Sequence, residues 1–376
     1  MLEFKLPSLG SDMDEGKLLE WKVKPGDAVH KGQVVAIVDT SKAAVDVEIW
    51  FGGTVHELLI EPGEKIPVGT VLATLLEPGE MAPAPAPGGP KPAAGRQRVS
   101  PAARRHAEAL GVDLARIVGT GPGGAVTLSD VEGAARGAPG KAVSAPEAGA
   151  PSPQDRQAQM RQAIAAAMSR SKREIPHYYL AETIPLGRAQ AWLANANADR
   201  PITARLLMAA LQLKAVALAL QRYPEMNGYF RNGTFEPAAA AHIGVAISLR
   251  QGGLIAPAIH DVGDKPLEQV MADLTDLVKR ARAGSLKSSE MSDPTITVTN
   301  LGDQGVEAVY GVIYPPQVAL VGFGRIAPRP WVEEGALGVM PTVIASLAAD
   351  HRVSDGHRGA LFLAELRERL QQPESL

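Results

Sequence analysis

The side chains best placed for chemistry are a lysine at the hinge of a repeat and a histidine between two aspartates. Lys24-Pro25-Gly26-Asp27 recurs as Glu61-Pro62-Gly63-Glu64, an offset of 37 residues. Gly16 and Gly53, Leu18 and Val55, Val23 and Ile60, Gly32 and Gly69, and Val34 and Val71 keep that offset. Between the copies lies Asp39-Thr40-Ser41-Lys42-Ala43, followed by the alternating run Val45-Asp46-Val47-Glu48-Ile49. Such alternation marks a half-buried strand, so Lys42 projects from the turn just before it. A turn lysine is ordinarily a solvated charge; its place inside a repeat singles this one out. His351 lies in Asp350-His351-Arg352-Val353-Ser354-Asp355-Gly356, at a strand-to-helix junction. Free imidazole, with a pKa of about 6.5, exchanges a proton near neutral pH. A histidine beside a carboxylate, taken alone, is nevertheless more often structural. The chain has no cysteine, which rules out disulfides and thiolate metal sites, so any thiol chemistry must arrive with a cofactor or substrate. The histidines show no paired ligand spacing, and a zinc site is not expected.

The elements that position these residues fall into three bodies on two tethers. Two copies of one β unit fill residues 1–78 and can pack as a pseudo-symmetric sandwich, giving a first domain over 1–80. Residues 81–96 and 137–154 are rich in Pro, Ala and Gly and hold too few large apolar side chains to offset the entropy of ordering. Alternating Ala-Pro favours extended polyproline geometry, so each is a stiff spacer reaching on the order of 50 Å at about 3.1 Å per residue. The module between them, 97–136, is small and helical. Ser100-Pro101 reads as an N-cap followed by proline at the first helical position, with the helix ending at Leu110 before Gly111. A second helix is expected from about Ser129. The loop Gly119-Thr120-Gly121-Pro122-Gly123-Gly124 matches Gly-x-Gly-x-x-Gly. No buried βαβ strand precedes it and no carboxylate follows about 20 residues on, so it reads as a connector rather than a dinucleotide site.

From 155 to 376 helix and strand alternate, an α/β domain large enough for an enzyme core. Met160, Ile164 and Met168 share one helix face. Strands are expected at His177–Ile184, His242–Leu249, Leu254–Ile259, Thr295–Thr299, Val318–Phe323 and Thr342–Leu347. Helices are expected at Ile202–Tyr223, Leu267–Ala283 and, after Asp355-Gly356, to about Leu370. A length of 376 residues suits two or three domains, and 45% hydrophobic composition can fill their cores. A net charge of −3 argues against a general nucleic-acid or membrane-surface binder. The most apolar helix, Leu206 to Leu220, is interrupted by Gln212 and Lys214 and reads as too short to span a bilayer. The chain enters a strand at once (Leu2-Glu3-Phe4-Lys5-Leu6), leaving no room for a signal or transit peptide. The expectation is a soluble, cytoplasmic protein with no nucleic-acid and no membrane partner.

With its Asp-Thr-Ser-Lys-Ala hairpin, the first domain resembles a lipoyl domain, in which lipoate is joined to this lysine as an amide. A biotin carrier shares the fold, but its lysine typically lies between two methionines, whereas Ser41 and Ala43 flank Lys42. Through Val99-Ser100-Pro101-Ala102, Leu110-Gly111-Val112-Asp113 and the Gly-Thr-Gly loop, the second module resembles the peripheral subunit-binding domain of 2-oxo acid dehydrogenase complexes. That family binds partner enzymes largely through basic side chains. Arg104 matches one such position, while Pro122 and Ala125 stand at two usually basic ones. The Asp350–Gly356 motif resembles the active-site signature of lipoate acyltransferases and the related chloramphenicol acetyltransferases. Arg170–His177, Gly253–Pro257, Asn300-Leu301-Gly302 and Pro315-Pro316-Gln317 are further matches, in the expected domain order along nearly the whole chain.

The resemblance implies an all-β lipoyl sandwich, a small all-α binding module and an α/β chloramphenicol-acetyltransferase-like catalytic domain. It implies acyl transfer between a lipoyl group on Lys42 and coenzyme A as substrate, with His351 as general base toward the thiol and as the acid that returns its proton. A free thiol has a pKa of about 8.5, a gap from imidazole that a protected site can cover. Thr299 matches the family's hydroxyl that donates to the oxyanion, although Thr295, Thr297 and Thr299 alternate along a strand, where threonine is favoured anyway. Asp355 fits an orienting role. His351 and Thr299 would meet across neighbouring chains of a homotrimer, and such trimers build larger hollow cores. The implied partners are a thiamine-dependent 2-oxo acid decarboxylase and a lipoamide dehydrogenase, in a pyruvate, acetoin or branched-chain complex. A non-catalytic scaffold would need neither His351 nor Thr299. A free-standing small-molecule acetyltransferase would leave the carrier and tethers unexplained.

Overall fold

A computed structural model of the chain describes residues 1–7, 15–40, 44–77, 153–249 and 253–376, with Ala103 and Ala107. Lys42, Arg104, Pro122 and Ala125, the 81–96 tether, the second tether up to 152 and the rest of the 97–136 module lie outside the described residues. Ala103 and Ala107 are helical and buried, one turn apart.

In the first domain the 37-residue offset becomes an exchange of backbone bonds. Gly26 donates to the Val55 carbonyl at 2.7 Å and Gly63 donates to Leu18 at 2.7 Å. Leu18 donates to Glu64 at 3.0 Å and Val55 to Asp27 at 2.9 Å. Each bond has a mate 37 residues on, so the two units clasp each other about a pseudo-two-fold axis. The turns require glycine, because φ is 95° and 103° at Gly26 and Gly63 and 84° and 88° at Gly32 and Gly69. Leu2–Lys5, Val71–Leu76, Gly53–Leu58 and Ala28–Val29 form one sheet, and Glu15–Trp21, Val34–Asp39, Ala44–Glu48 and Lys65–Pro67 lie in the other. Alternation holds in Ala44–Glu48, where Val45 and Val47 turn into the core with Phe4, Leu18 and Leu72. Asp39 pairs with Ala44, so residues 40–43, Lys42 among them, connect the two strands.

The second described body is an α/β domain around a mixed sheet. Its order is Ala258–Ile259, Ile243–Val245, Ile296–Asn300, Ala319–Phe323, Ala336–Asp350 and Ala327–Glu333, with His177–Pro185 also paired to Ala336–Asp350. Helices Met208–Arg222, Leu267–Ala283 and Gly356–Gln371 bring Val216, Val270 and Phe362 into one core with Ile296, Val321 and Leu347 of the sheet. Leu320 and Ala348, one residue out of phase, point to the other face and pack with Ile175 and Ile313. By length and composition, the segment Ile202–Arg222, 21 residues of mean hydropathy 1.5, could cross a membrane. Here its helical part is the central core helix, and even Lys214 is buried, donating to the carbonyls of Gly263 at 2.7 Å and Lys265 at 2.6 Å.

Several boundaries differ from those expected, each for a local reason. Pro153 opens the helix Pro153–Glu174 instead of closing the tether, since its missing N–H is free anyway at a helix start. His242–Leu249 divides into Ile243–Val245, which pairs with Ile296–Val298, and Ile247–Ser248, which pairs with Leu254–Ile255. The strand expected at Thr342–Leu347 runs from Ala336 to Asp350. Its first half joins Ala327–Glu333 in a ribbon turned at Glu334 and Gly335, both with positive φ. Pro328 and Pro330 hide that edge strand from a sequence reading, yet an edge tolerates proline. A hairpin turned at Asn232-Gly233 joins Gly228–Arg231 to Thr234–Pro237; Asn-Gly is a strong signal for such a turn.

Replacing Gly63 with Ala is expected to cost about 1–2 kcal/mol through backbone strain alone, because a Cβ there meets nothing within 4 Å. Gly338→Ala, in ordinary φ and equally open space, should stay within about 0.5 kcal/mol. Urea midpoints followed by tryptophan fluorescence compare the two.

Candidate active site

The long strand delivers its last residue, Asp350, into the interior with no exposed surface. That carboxylate accepts from the Arg352 backbone N–H at 2.9 Å and from its guanidinium at 3.0, 3.1 and 2.6 Å. The Arg352 guanidinium in turn lies over the Phe230 ring at 4.0 Å. His351, held between these two residues, donates its backbone N–H to the Pro176 carbonyl at 3.0 Å. Asp350 is also the register partner of His177. Two motifs whose paired residues are 173 positions apart in sequence are thereby laid side by side.

The His351 side chain is exposed. Its ring meets Tyr178 edge to face at 5.4 Å and 71°, and among the described residues neither ring nitrogen has a hydrogen-bond partner. Tyr178, missed in the sequence, is fixed by a 2.8 Å bond between its hydroxyl and Ser354 Oγ. Burial pushes its phenol above the ordinary range. Its signal was the strand directly after Arg170–His177, one position on from the histidine. Asp355 caps the helix Gly356–Gln371, accepting from the Arg358 N–H at 2.9 Å; that bond holds its carboxyl below the usual range.

Thr299 is elsewhere. It pairs with Gly322, and Gly322 with Ser346, so His351 lies five residues further along the strand, about 17 Å at about 3.4 Å per residue. Within one chain the two do not meet. The other threonines of the alternation are committed: Thr295 donates to Asn227 Oδ1, and Thr297 donates to Gln317 Oε1 at 2.7 Å. Thr299 is half-buried, and among the described residues its hydroxyl has no partner. Asn300 fixes the turn after it, accepting from Gly302 N–H at 2.8 Å and donating to Gln212 Oε1 of the core helix at 3.1 Å. The Pro315-Pro316 bond is cis, and the amide of buried Gln317 donates to the Pro294 carbonyl at 3.1 Å. In the Gly253–Pro257 stretch, Gly253 has φ of 102° and a Cβ there would fall 2.0 Å from the Met160 sulfur. Among the described residues no group of three or more His, Asp or Glu could hold a metal ion.

Residues 152–376 match the family model of the 2-oxoacid dehydrogenases acyltransferase catalytic domain. The chain belongs to that family. Residues 2–75 match the model described as biotin-requiring enzyme, which covers biotin and lipoyl carriers, and 98–132 match the e3 binding domain. The chain is 28% identical to the dihydrolipoyllysine-residue acetyltransferase component of the pyruvate dehydrogenase complex of Zymomonas mobilis, over 99% of this chain and 98% of that one. It is 30% identical to the corresponding component of the acetoin cleaving system of Bacillus subtilis, again over 99% and 98%. It is similar to the crystal structure of Azotobacter vinelandii dihydrolipoamide acetyltransferase, with 27% identity, TM-score 0.55, and coverage of 58% of this chain and 90% of that one. This acyltransferase is therefore a multidomain enzyme whose carrier domain bears covalent lipoate and whose second substrate is coenzyme A.

One further histidine of the acyltransferase has a defined state. His177 Nε2 accepts from Ile313 N–H at 3.1 Å, so the ring proton sits on Nδ1 and is donated to the Ile175 carbonyl at 2.9 Å. Burial pushes this imidazole below its ordinary value. The stability it contributes is complete above about pH 6.5 and is lost as pH falls through the lowered value. Between pH 7 and 5 the melting temperature of the native protein should fall more steeply than that of His177→Gln. Parallel profiles would exclude this assignment.

Proposed function

We propose that this acyltransferase is the core subunit of a pyruvate dehydrogenase-type complex, with Lys42 bearing the lipoyl group, His351 as general base, Thr299 as oxyanion donor and Asp355 as the group that fixes the histidine turn. One observation carries the reading: His351 has its backbone held between fixed neighbours while, among the described residues, its exposed ring nitrogens remain uncommitted. The Azotobacter protein was studied for the roles of a serine, a histidine and an asparagine in its catalytic mechanism. These are separated by 52 and then four residues. The same intervals separate Thr299, His351 and Asp355.

Coenzyme A supplies a thiol and the lipoyl group a thioester. His351 takes the thiol proton as the new carbon–sulfur bond forms, and returns it to the departing sulfur as the old bond breaks. Thr299 donates its hydroxyl to the carbonyl oxygen as negative charge develops there. Since about 17 Å of strand separates Thr299 from His351 in one chain, a complete site pairs His351 of one copy with Thr299 of its neighbour, which supports a homotrimer. The carrier works from 1–80 on the 81–96 tether. The 97–136 module docks the thiamine-dependent 2-oxo acid decarboxylase and lipoamide dehydrogenase components, with Arg104 among the contacts, and the 137–154 tether leads to the catalytic domain. The complex works in the cytoplasm.

His351→Ala should abolish acetyl transfer from acetyl-coenzyme A to free dihydrolipoamide while leaving the sedimentation of the core unchanged. Thr299→Val should lose about 10²- to 10³-fold in kcat. Unchanged transfer in the first variant would remove His351 from the mechanism. Intact mass of protein from lipoate-fed cells should show one added lipoyl group that Lys42→Arg lacks; a modified Lys42→Arg protein would place the carrier lysine elsewhere.

A further inference from the structure

We propose that the carrier domain parks on its own catalytic domain by strand addition, through Ala44–Glu48 and a strap at Leu286–Ser289, at a seam separate from His351. Alone, Ala44–Glu48 would be an edge strand, since within its own domain it pairs only with Val34–Asp39. Its open edge pairs in parallel with the strap, Val45 opposite Leu286 and Asp46 opposite Lys287. An unpaired edge is a ready template for this kind of addition.

Glu48 is where the seam gains specificity. Its backbone N–H donates to Ser288 Oγ at 3.1 Å. Its carboxylate accepts from the Ser289 hydroxyl and, at 3.3 Å, from the Lys287 ammonium. The carboxylate side chain is 12% exposed, whereas Lys287 remains 48% exposed, so the acid is sheltered and the base reaches it from solvent. The strap is prebuilt to receive it. Arg280 donates to both oxygens of Glu290, Glu290 accepts from the Lys287 N–H at 2.8 Å, and Leu286 is anchored in the catalytic core.

The hydrophobic clusters of the two domains share no residue, and among the described residues the seam is held by backbone pairing, two serine hydroxyl bonds and a charge clasp. Such a contact is short, polar and sensitive to salt, as a carrier that must leave again requires. The strap continues into Asp293, whose carboxylate bonds His260 at 3.0 Å beside the edge strand Ala258–Ile259. His351 follows Ala336–Asp350, four strand steps across the sheet, about 19 Å at about 4.8 Å per step.

The chain has no cysteine, so a pair placed across the seam reports on it alone. Full-length Ala44→Cys/Ser285→Cys, with the lipoyl group kept oxidised, is treated with a short bismaleimide and run on a denaturing gel. A cross-linked monomer of altered mobility is expected, absent from either single variant. Adding Glu48→Lys should cut its yield at least fivefold, and combining Glu48→Lys with Lys287→Glu should restore it. Yields indifferent to Glu48→Lys would overturn the proposal. So would a product migrating as a dimer, which would put the contact between copies. Neither readout depends on acyl transfer, so its outcome is independent of the roles assigned to His351 and Thr299.

Discussion

The catalytic domain turns on a single buried carboxylate. Asp350 has no exposed surface and is satisfied by one guanidinium and one backbone N–H, both from Arg352. Removing either partner from a buried pair typically costs about 3–5 kcal/mol, because the remaining charge is left without compensation. The residue between them inherits that rigidity: the His351 backbone is held by Pro176, while among the described residues its ring nitrogens have no hydrogen-bond partner. Through Arg352 the constraint spreads to Phe230, and Phe230 donates its N–H to the Pro316 carbonyl at 2.8 Å. The Asn-Gly hairpin, the Pro315-Pro316 turn and the histidine turn are therefore tied to one another. Arg170, Glu174 and Pro315 line the same cavity of about 360 Å³ as Arg352.

Sheet register imposes the second constraint. Strands hold side chains at fixed intervals, so the separation of Thr299 from His351 follows from the pairings Thr299 to Gly322 to Ser346 and cannot be closed by a rotamer change. Threonines at 295 and 297 are absorbed by Asn227 and Gln317, which stiffen the start of their strand. Thr299 stands past that stiffened segment, just before an Asn300 turn tied to the core helix through Gln212. The hydroxyl is precise in its own domain and remote from the imidazole there.

Sequence reading recovered what depends on local pattern. The repeat offset pointed to a pseudo-symmetric sandwich, and the fold carries paired backbone bonds at that offset; Leu267–Ala283 has the bounds its apolar spacing implies. Legibility failed where partners come from afar. Tyr178 looks like any strand aromatic until the register sets it beside Ala349, next to the histidine turn. Gln212 reads as an interruption in an apolar helix, because its partner Asn300 is 88 residues away. Lys214 reads likewise, because its carbonyl partners lie in a loop about which helix periodicity carries no information. The proline-bearing edge strand Ala327–Glu333 was hidden by propensity, which is overridden by pairing with a long neighbour.

Interaction strength is distributed unevenly, and the distribution matches the work. Inside each domain, residues are held by apolar packing and by buried polar groups such as Lys214, Gln317 and Asp350 that find partners within the same fold. Between Ala44–Glu48 and the strap the described residues show a short ladder, two serine hydroxyl bonds and one sheltered carboxylate facing a solvent-exposed lysine. Were that seam built like the Asp350–Arg352 pair, the carrier would be immobilised, and its lysine would serve a single location. Were the Asp350 turn built like the seam, the His351 turn would lose its fixed position. A shuttling acyltransferase needs both kinds of contact in one chain, rigid where bonds are exchanged and weak where a domain must come and go.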